Sequence, residues 1–302
     1  MPWSIRGCGL SSTAEPISGR FVAIRRLAGP FVQRLLHNRS FVIGAALVLF
    51  VVLIAIFAGE LAPYDPMRSN FRARLAPPSA EHWFGTDHFG RDLLSRVLYG
   101  GRVSLTIGVF VVIVTGIAGT TIGALAGYFR RLDNPLMRLM DALMAFPAIL
   151  LAIVISAVLG ASVVNVVIAL SIATSPHTAR IVRASVLVVR EMEYVEAGRA
   201  LGASDLRLLF GHVLINALAP LIVRLTYVFA IAILAEAVLS YIGVGPPPPT
   251  PTFGNIIATE RDFMATAPWA MIFPGLAIVT SVLGLNLLGD GLRDVLDPRM
   301  KV

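Results

Sequence analysis

The chain has 302 residues, 56% of them hydrophobic and 14% charged, with a formal net charge of +7. Soluble domains carry about a quarter charged residues, so this composition, with a mean hydropathy of +0.79, excludes an ordinary soluble fold and predicts an integral membrane protein. The positive charge calls for no nucleic acid, because arginines on cytoplasmic loops facing anionic lipid account for it.

Residues 1–40 form a mostly polar amino-terminal segment. Its Cys8 is the only cysteine, which excludes a disulfide within the chain. Cys8 also lacks the preceding apolar run of a lipid-attachment signal, and it reads as incidental. Residues 41–59 are uncharged and long enough to span a bilayer. Forty residues precede this run, so it is expected to be a retained anchor rather than a cleaved leader. A loop follows over 60–102. Within it GTDHFGRDLLSRVLYGGR reads as a turn and then a short amphipathic helix on the outer membrane surface, with Leu93, Leu94, Val97 and Leu98 on one side. His82 and His88 fall short of a metal-ligand set.

The second span is 103–129. It carries Gly119, Gly123 and Gly127 at steps of four, with Gly116 beside them, a spacing that lets helix backbones approach closely in lipid. Whether the neighbouring helix belongs to this chain or to a partner stays open at this point. The uncharged run 142–179 is too long for one helix, and Gly160-Ala161-Ser162 offers the turn between a third and a fourth span. The fifth, 215–242, is interrupted by Arg224 and Glu236. At twelve residues apart, about 18 Å along a helix, these two cannot pair directly. Arg224 is expected to snorkel to the headgroups and Glu236 to sit in a structural hydrogen bond; both are also candidates for the translocation pathway. Four prolines at 246–249, with Pro251, are expected to stiffen the last outer loop as polyproline II. The sixth span is 267–289. Pro147, Pro176 and Pro274 lie in apolar runs, where each removes a backbone bond and invites a kink.

Lys and Arg are retained on the cytoplasmic side. With the amino terminus inside, the inner segments hold seventeen of these residues and the outer ones seven. Both termini are therefore expected in the cytoplasm, with 103–302 as a core of five spans and the segment 191–214 as a cytoplasmic loop.

That loop contains EAGRALGASDLRLLFGHVLINALAP. Residues 191–201 favour helix, with acids early, where the positive end of the helix dipole stabilises them. Gly202 stands where a left-handed residue closes a helix, Ser204 where a side chain caps the next one, and Asp205 in its first turn. Ala197, Ala200 and Leu201 share one side, away from Glu193, Glu196 and Arg199. Glu196-Ala197-Gly198, three residues, then Gly202 resembles the cytoplasmic "EAA" loop of bacterial ABC importer permeases. GTDHFGRDLLSRVLYGGRVSL at 85–105, GVGPPPPTPTFGNII at 243–257 and FPGLAIVTSVLGLNLLGDGLRDVLDPRM at 273–300 are similar to stretches of the dipeptide and oligopeptide permease family.

The resemblance implies an all-α type I importer permease in the bacterial inner membrane. It also implies a coupling helix that docks into an ATPase subunit, carried here by Glu196, Ala197, Gly198, Ala200, Leu201, Gly202, Ala203 and Asp205. The partners it implies are a homologous second permease, two ATPase subunits that hold ATP and Mg, and an extracytoplasmic substrate-binding protein. Peptides are the implied cargo, with glutathione or nickel as alternatives. Two positions depart from the family pattern: Gly198 replaces its third alanine, and Ile215 stands where a proline is expected, Pro220 being the next one.

This chain cannot hydrolyse ATP itself. A nucleotide-binding P-loop needs a lysine, and the only lysine is Lys301. No HExxH or GxSxG occurs, and no cofactor or metal is expected. An ion-driven secondary transporter calls for several intramembrane acids, whereas Glu236 is the only acid in the expected spans.

Overall fold

The computed structural model describes residues 32–296. Cys8 and Lys301 lie outside them. The described chain is helical, and its one β-type contact is an isolated bridge between Thr86 and Asp92.

After a short helical stretch over residues 32–37, the first long helix, α1 (Arg39–Ile56), opens on Asn38, whose side chain accepts from the Phe41 N–H. It lies along the last helix, α12 (Trp269–Leu296), at a distance set by glycine. A Cβ on Gly44 would stand 2.7 Å from the Leu287 carbonyl carbon, and one on Gly284 2.9 Å from Leu47 Cβ. In lipid there is little hydrophobic drive between helices, so such backbone proximity supplies the dispersion contact that holds them. A single turn, α2 (Ala58–Leu61), leads into the long loop that follows.

The second long helix, α3, runs without interruption over Leu93–Tyr128, 36 residues or about 54 Å. The separate surface helix expected before residue 103 is therefore the top of this span. Gly100 and Gly101, which weaken a free helix, are held by packing. Cβ atoms there would lie 3.3 Å from Thr252 and 3.1 Å from Phe253, at the start of α11 (Phe253–Glu260).

The third span, expected between residue 142 and the turn at Gly160, is broken near its start: α4 (Arg130–Met144) holds the charged segment before it and only the first residues of the run, and α5 (Ala148–Leu159) follows, bent by 87° from α4 at a break containing Pro147. Twelve residues reach only about 18 Å, short of roughly 30 Å of hydrocarbon. The expected turn then appears with Gly160 at φ +87°, and Asn165 donates to the Leu159 and Gly160 carbonyls across it. Next comes α6 (Val163–Val189), which contains Pro176. The remaining long helix, α10, spans Leu218–Tyr241. Among the described residues four helices, α1, α3, α10 and α12, are long and apolar enough to cross a membrane, or five with the bent pair, against six expected.

Gly119, Gly123 and Gly127 meet α6 of the same chain, at Thr178, Ala179, Val182 and Val186. Gly116 faces Leu225 on α10. The main core lies where α3, α5, α6 and α10 converge, around Ile107, Val166, Val228 and Leu239, all fully buried. In the loop between α10 and α11 the chain turns at Pro248 and Pro249, rather than running on as a straight polyproline rod.

Candidate coupling site

Beyond α6 the chain forms an elbow of two short helices, α7 (Glu193–Ala200) and α8 (Asp205–Leu208). Gly202 adopts φ +83°. Its N–H donates to the Arg199 carbonyl at 3.0 Å and the Ala203 N–H to the Gly198 carbonyl at 3.1 Å. This pair of bonds satisfies helix-end carbonyls in a Schellman closure. The expected stop at Gly202 is therefore realised in full. Ser204 does stand before α8, but its hydroxyl makes no cap bond. Tyr128, at the foot of α3, instead reaches this turn by donating its hydroxyl to Asp205 at 2.9 Å.

A π-helical turn, Leu209–Val213, and a single turn, α9 (Leu214–Asn216), lead from α8 to α10. The break falls at Ala217, and Pro220 sits in the first turn of α10. Proline is tolerated there, because its ring clashes with the carbonyl four residues back only when the helix continues. Pro220 thus accounts for a break that Ile215 could not impose.

The elbow has a rigid base. Val195, Leu208, Leu209 and Val213 are buried against Ala124, Val182, Val186 and Val189 of α3 and α6. Arg190 donates to the Gly127 carbonyl at 2.7 Å, and Asn216 to the Tyr194 hydroxyl at 2.9 Å. Gly198 lies under Leu208, whose Cδ2 would be 2.9 Å from an added Cβ. That atom is the end of a flexible side chain, so the site accepts glycine or alanine.

The opposite surface has no partner in this chain. Ala197, Ala200 and Gly202 are exposed, and a Cβ on Gly202 would meet nothing within 4 Å. Leu201 is 89% exposed, Phe210 62% and Leu206 61%. Leu206 and Phe210 escaped the sequence reading. Their spacing of four past Asp205 was the available signal. Glu196, Arg199 and Asp205 are exposed among these apolar groups. A firmly based projection tipped with exposed leucine and phenylalanine can receive a push and pass it to α3, α6 and α10.

The two charged residues within α10 lie far apart in character. Glu236 is fully buried, accepting from Ser104 of α3 at 2.7 Å and from Ser240 at 2.6 Å. Its carboxylate is closed inside a polar tie between two helices. Arg224 lines an open cavity near the start of α10, with its Nε buried and unbonded.

The loop between α2 and α3 is more ordered than its sequence suggests. Three buried carboxylates fasten it. Asp87 accepts from Arg91 Nε at 2.6 Å with Arg96 Nε at 3.4 Å, Asp92 lies 2.9 Å from His82 Nδ1, and Glu260 of α11 lies 2.6 Å from His88 Nδ1. The two histidines thus each meet one carboxylate.

Residues 119–302 match the family described as binding-protein-dependent transport system inner membrane component, and residues 29–78 match the N-terminal TM domain of oligopeptide transport permease C. A Brucella suis protein whose name reads as a peptide transport system permease is 57% identical over 270 residues, 89% of this chain and 91% of its own. The dipeptide transport system permease protein DppC of Alkalihalophilus pseudofirmus is 44% identical over 289 residues, 95% of each chain. The glutathione transport system permease protein GsiD of Escherichia coli is 42% identical over 273 residues, 90% of each. The matched family covers more than half of the sequence, and with it the elbow, Gly119, Gly123 and Gly127 of the glycine seam, and the long apolar helices α10 and α12. The chain belongs to the family of binding-protein-dependent transport system inner membrane components, as a multi-pass permease subunit of the bacterial inner membrane.

Proposed function

We propose that this permease imports peptides, forming half of a translocation pathway beside a homologous permease and drawing its work from two separate ATPase subunits that bind ATP and Mg. An extracytoplasmic binding protein delivers the cargo, and this chain binds no cofactor of its own. The elbow, with its buried base and exposed apolar tip, carries the reading. On the arginine distribution it lies in the cytoplasm, where the ATPase subunits dock on Ala197, Ala200, Leu201 and the Gly202 turn. Dipeptide and glutathione permeases stand among the relatives, and both cargoes are short peptides.

Substitution at Gly202 tests this directly. A side chain there has open space but sits at φ +83°, which costs an L-residue roughly 1–2 kcal/mol. Gly202→Ala carries that strain with little bulk and keeps most uptake. Gly202→Glu adds a charged arm on the docking surface and abolishes uptake of a radiolabelled dipeptide, with membrane abundance equal to that of Gly202→Ala. Equal uptake by the two variants removes the elbow from the ATPase interface.

A further inference from the structure

Two cavities follow one another along the seam where α10 lies beside α6. The lower, of about 590 Å³, is lined by Arg224 and Tyr227 of α10, Ile181 of α6, and Arg293 and Leu296 of α12. The upper, of about 290 Å³, is bounded by α5, α6 and α10 through residues such as Ile149, Leu170, Ile231, Leu234 and Val238. Residues 224, 227, 231, 234 and 238 recur at steps of three and four, so both openings lie on one face of α10. Residues 170, 174 and 181 place them on one face of α6 in the same way.

The chemistry divides sharply along that seam. The lower cavity presents two guanidinium groups, neither in an ion pair among the described residues. Arg224 Nε is buried without any partner. Asp290 is the nearby acid, and it already accepts the Tyr227 hydroxyl at 2.5 Å. Higher up, Thr174 is the sole polar residue, and its hydroxyl is already bonded to Thr115 and to the Leu170 carbonyl, both at 2.8 Å. A peptide threaded there would find no partner for its amides, and an unpaired amide in an apolar setting costs several kcal/mol. The seam therefore fits an amphiphile with an anionic head and a plain hydrocarbon tail. Arg224 and Val238 are separated by about 21 Å along the helix, more than half of the roughly 30 Å hydrocarbon layer.

We infer that this seam holds an anionic phospholipid of the cytoplasmic leaflet, its phosphate against Arg224 and Arg293 and one acyl chain in the slot beneath Ile231, Leu234 and Val238. The leaflet follows from the orientation proposed above; the site itself does not depend on the cargo. In such a site the lipid fills the wall between α6, α10 and α12, and it supplies the counter-charge that the chain withholds from Arg224.

The test uses the whole transporter, this permease with its partner subunits, in detergent. It receives equal amounts of dioleoylphosphatidylglycerol and dioleoylphosphatidylcholine, and retained lipid is read by native mass spectrometry. Only spectra showing the full subunit assembly count, which sets misfolded variants aside. Wild type favours phosphatidylglycerol by about thirty-fold, roughly five-fold for each arginine. Arg224→Gln with Arg293→Gln brings the ratio near one. Ile231→Trp, which fills the upper slot, lowers retention of both lipids, and excess glycerophosphoglycerol, the head without tails, displaces neither. A wild-type ratio near one, a preference that survives the double substitution, or full displacement by the soluble head group each overturns the site. So does a cysteine at Ile231 that cross-links to the second permease, because that subunit then covers the seam. Loss of lipid retention with ATP-driven uptake intact refutes the lipid site alone; retained lipid without such uptake refutes the transport reading alone.

Discussion

Gly123→Val prevents the permease from accumulating in the membrane. The glycine sits near the end of α3, where it faces the Ala179 carbonyl, and an added Cβ would stand 2.8 Å from Val182 Cβ and 3.1 Å from the Arg183 N–H. Two of these three neighbours are backbone, which cannot swing aside as a side-chain end does. Relief requires α3 and α6 to separate, and with them Gly119 and Gly127 lose their contacts. The cost lies at or above the top of the roughly 1–3 kcal/mol range for overpacking. Gly275→Val is the control, since a Cβ on that glycine of α12 meets nothing within 4 Å. Immunoblots of membrane fractions should show normal Gly275→Val and absent or degraded Gly123→Val. Normal levels of Gly123→Val mean that the α3–α6 seam is looser than described.

Asp87→Ala is expected to unfasten the loop between α2 and α3, at a cost of about 3–5 kcal/mol. The carboxylate is fully buried, and it accepts from the Phe89 and Arg91 N–H groups, both at 2.8 Å, as well as from the Arg91 guanidinium. Its removal leaves Arg96, 3% exposed, without its paired carboxylate. An isolated buried cation is penalised by desolvation, and the loop lowers that penalty by opening to water. Asp87→Asn keeps the backbone bonds, loses the charge and sits between wild type and Asp87→Ala. Thermal unfolding of the purified transporter gives the ranking, and limited proteolysis locates the damage within residues 60–92. Protection of that segment in Asp87→Ala would show that its hold comes from elsewhere.

Local grammar carried much of this architecture. Gly160 and Gly202 each mark a left-handed turn where their neighbours leave no other option, and the glycine steps on α3 announced close packing before its partner was known. Other features depended on tertiary contacts that no window of sequence contains. The sequence suggests a separate surface helix before residue 103, yet Gly100 and Gly101, packed on α11, carry one helix straight through into the span. The 87° bend between α4 and α5 was legible only as a proline, and the ion pairs Arg183–Asp133 and Arg180–Asp141 that tie α4 to α6 join residues 50 and 39 apart. Glu236 shows the same limit. Its serines lie 132 residues and four residues away, so sequence could place the charge in a span but could not say what enclosed it. At the elbow the exposed face was readable from spacing, whereas the Tyr128–Asp205 bond needed the folded chain.

The central claim, that work enters through the elbow from a separate ATP-hydrolysing subunit, is tested most directly in proteoliposomes containing both permeases, with binding protein and labelled dipeptide on one side and ATP with Mg on the other. Uptake is predicted only when the ATPase subunits are present on the ATP side, and it should vanish when they are omitted or when ATP is replaced by a non-hydrolysable analogue. Accumulation against the gradient at an undiminished rate without those subunits would contradict the account.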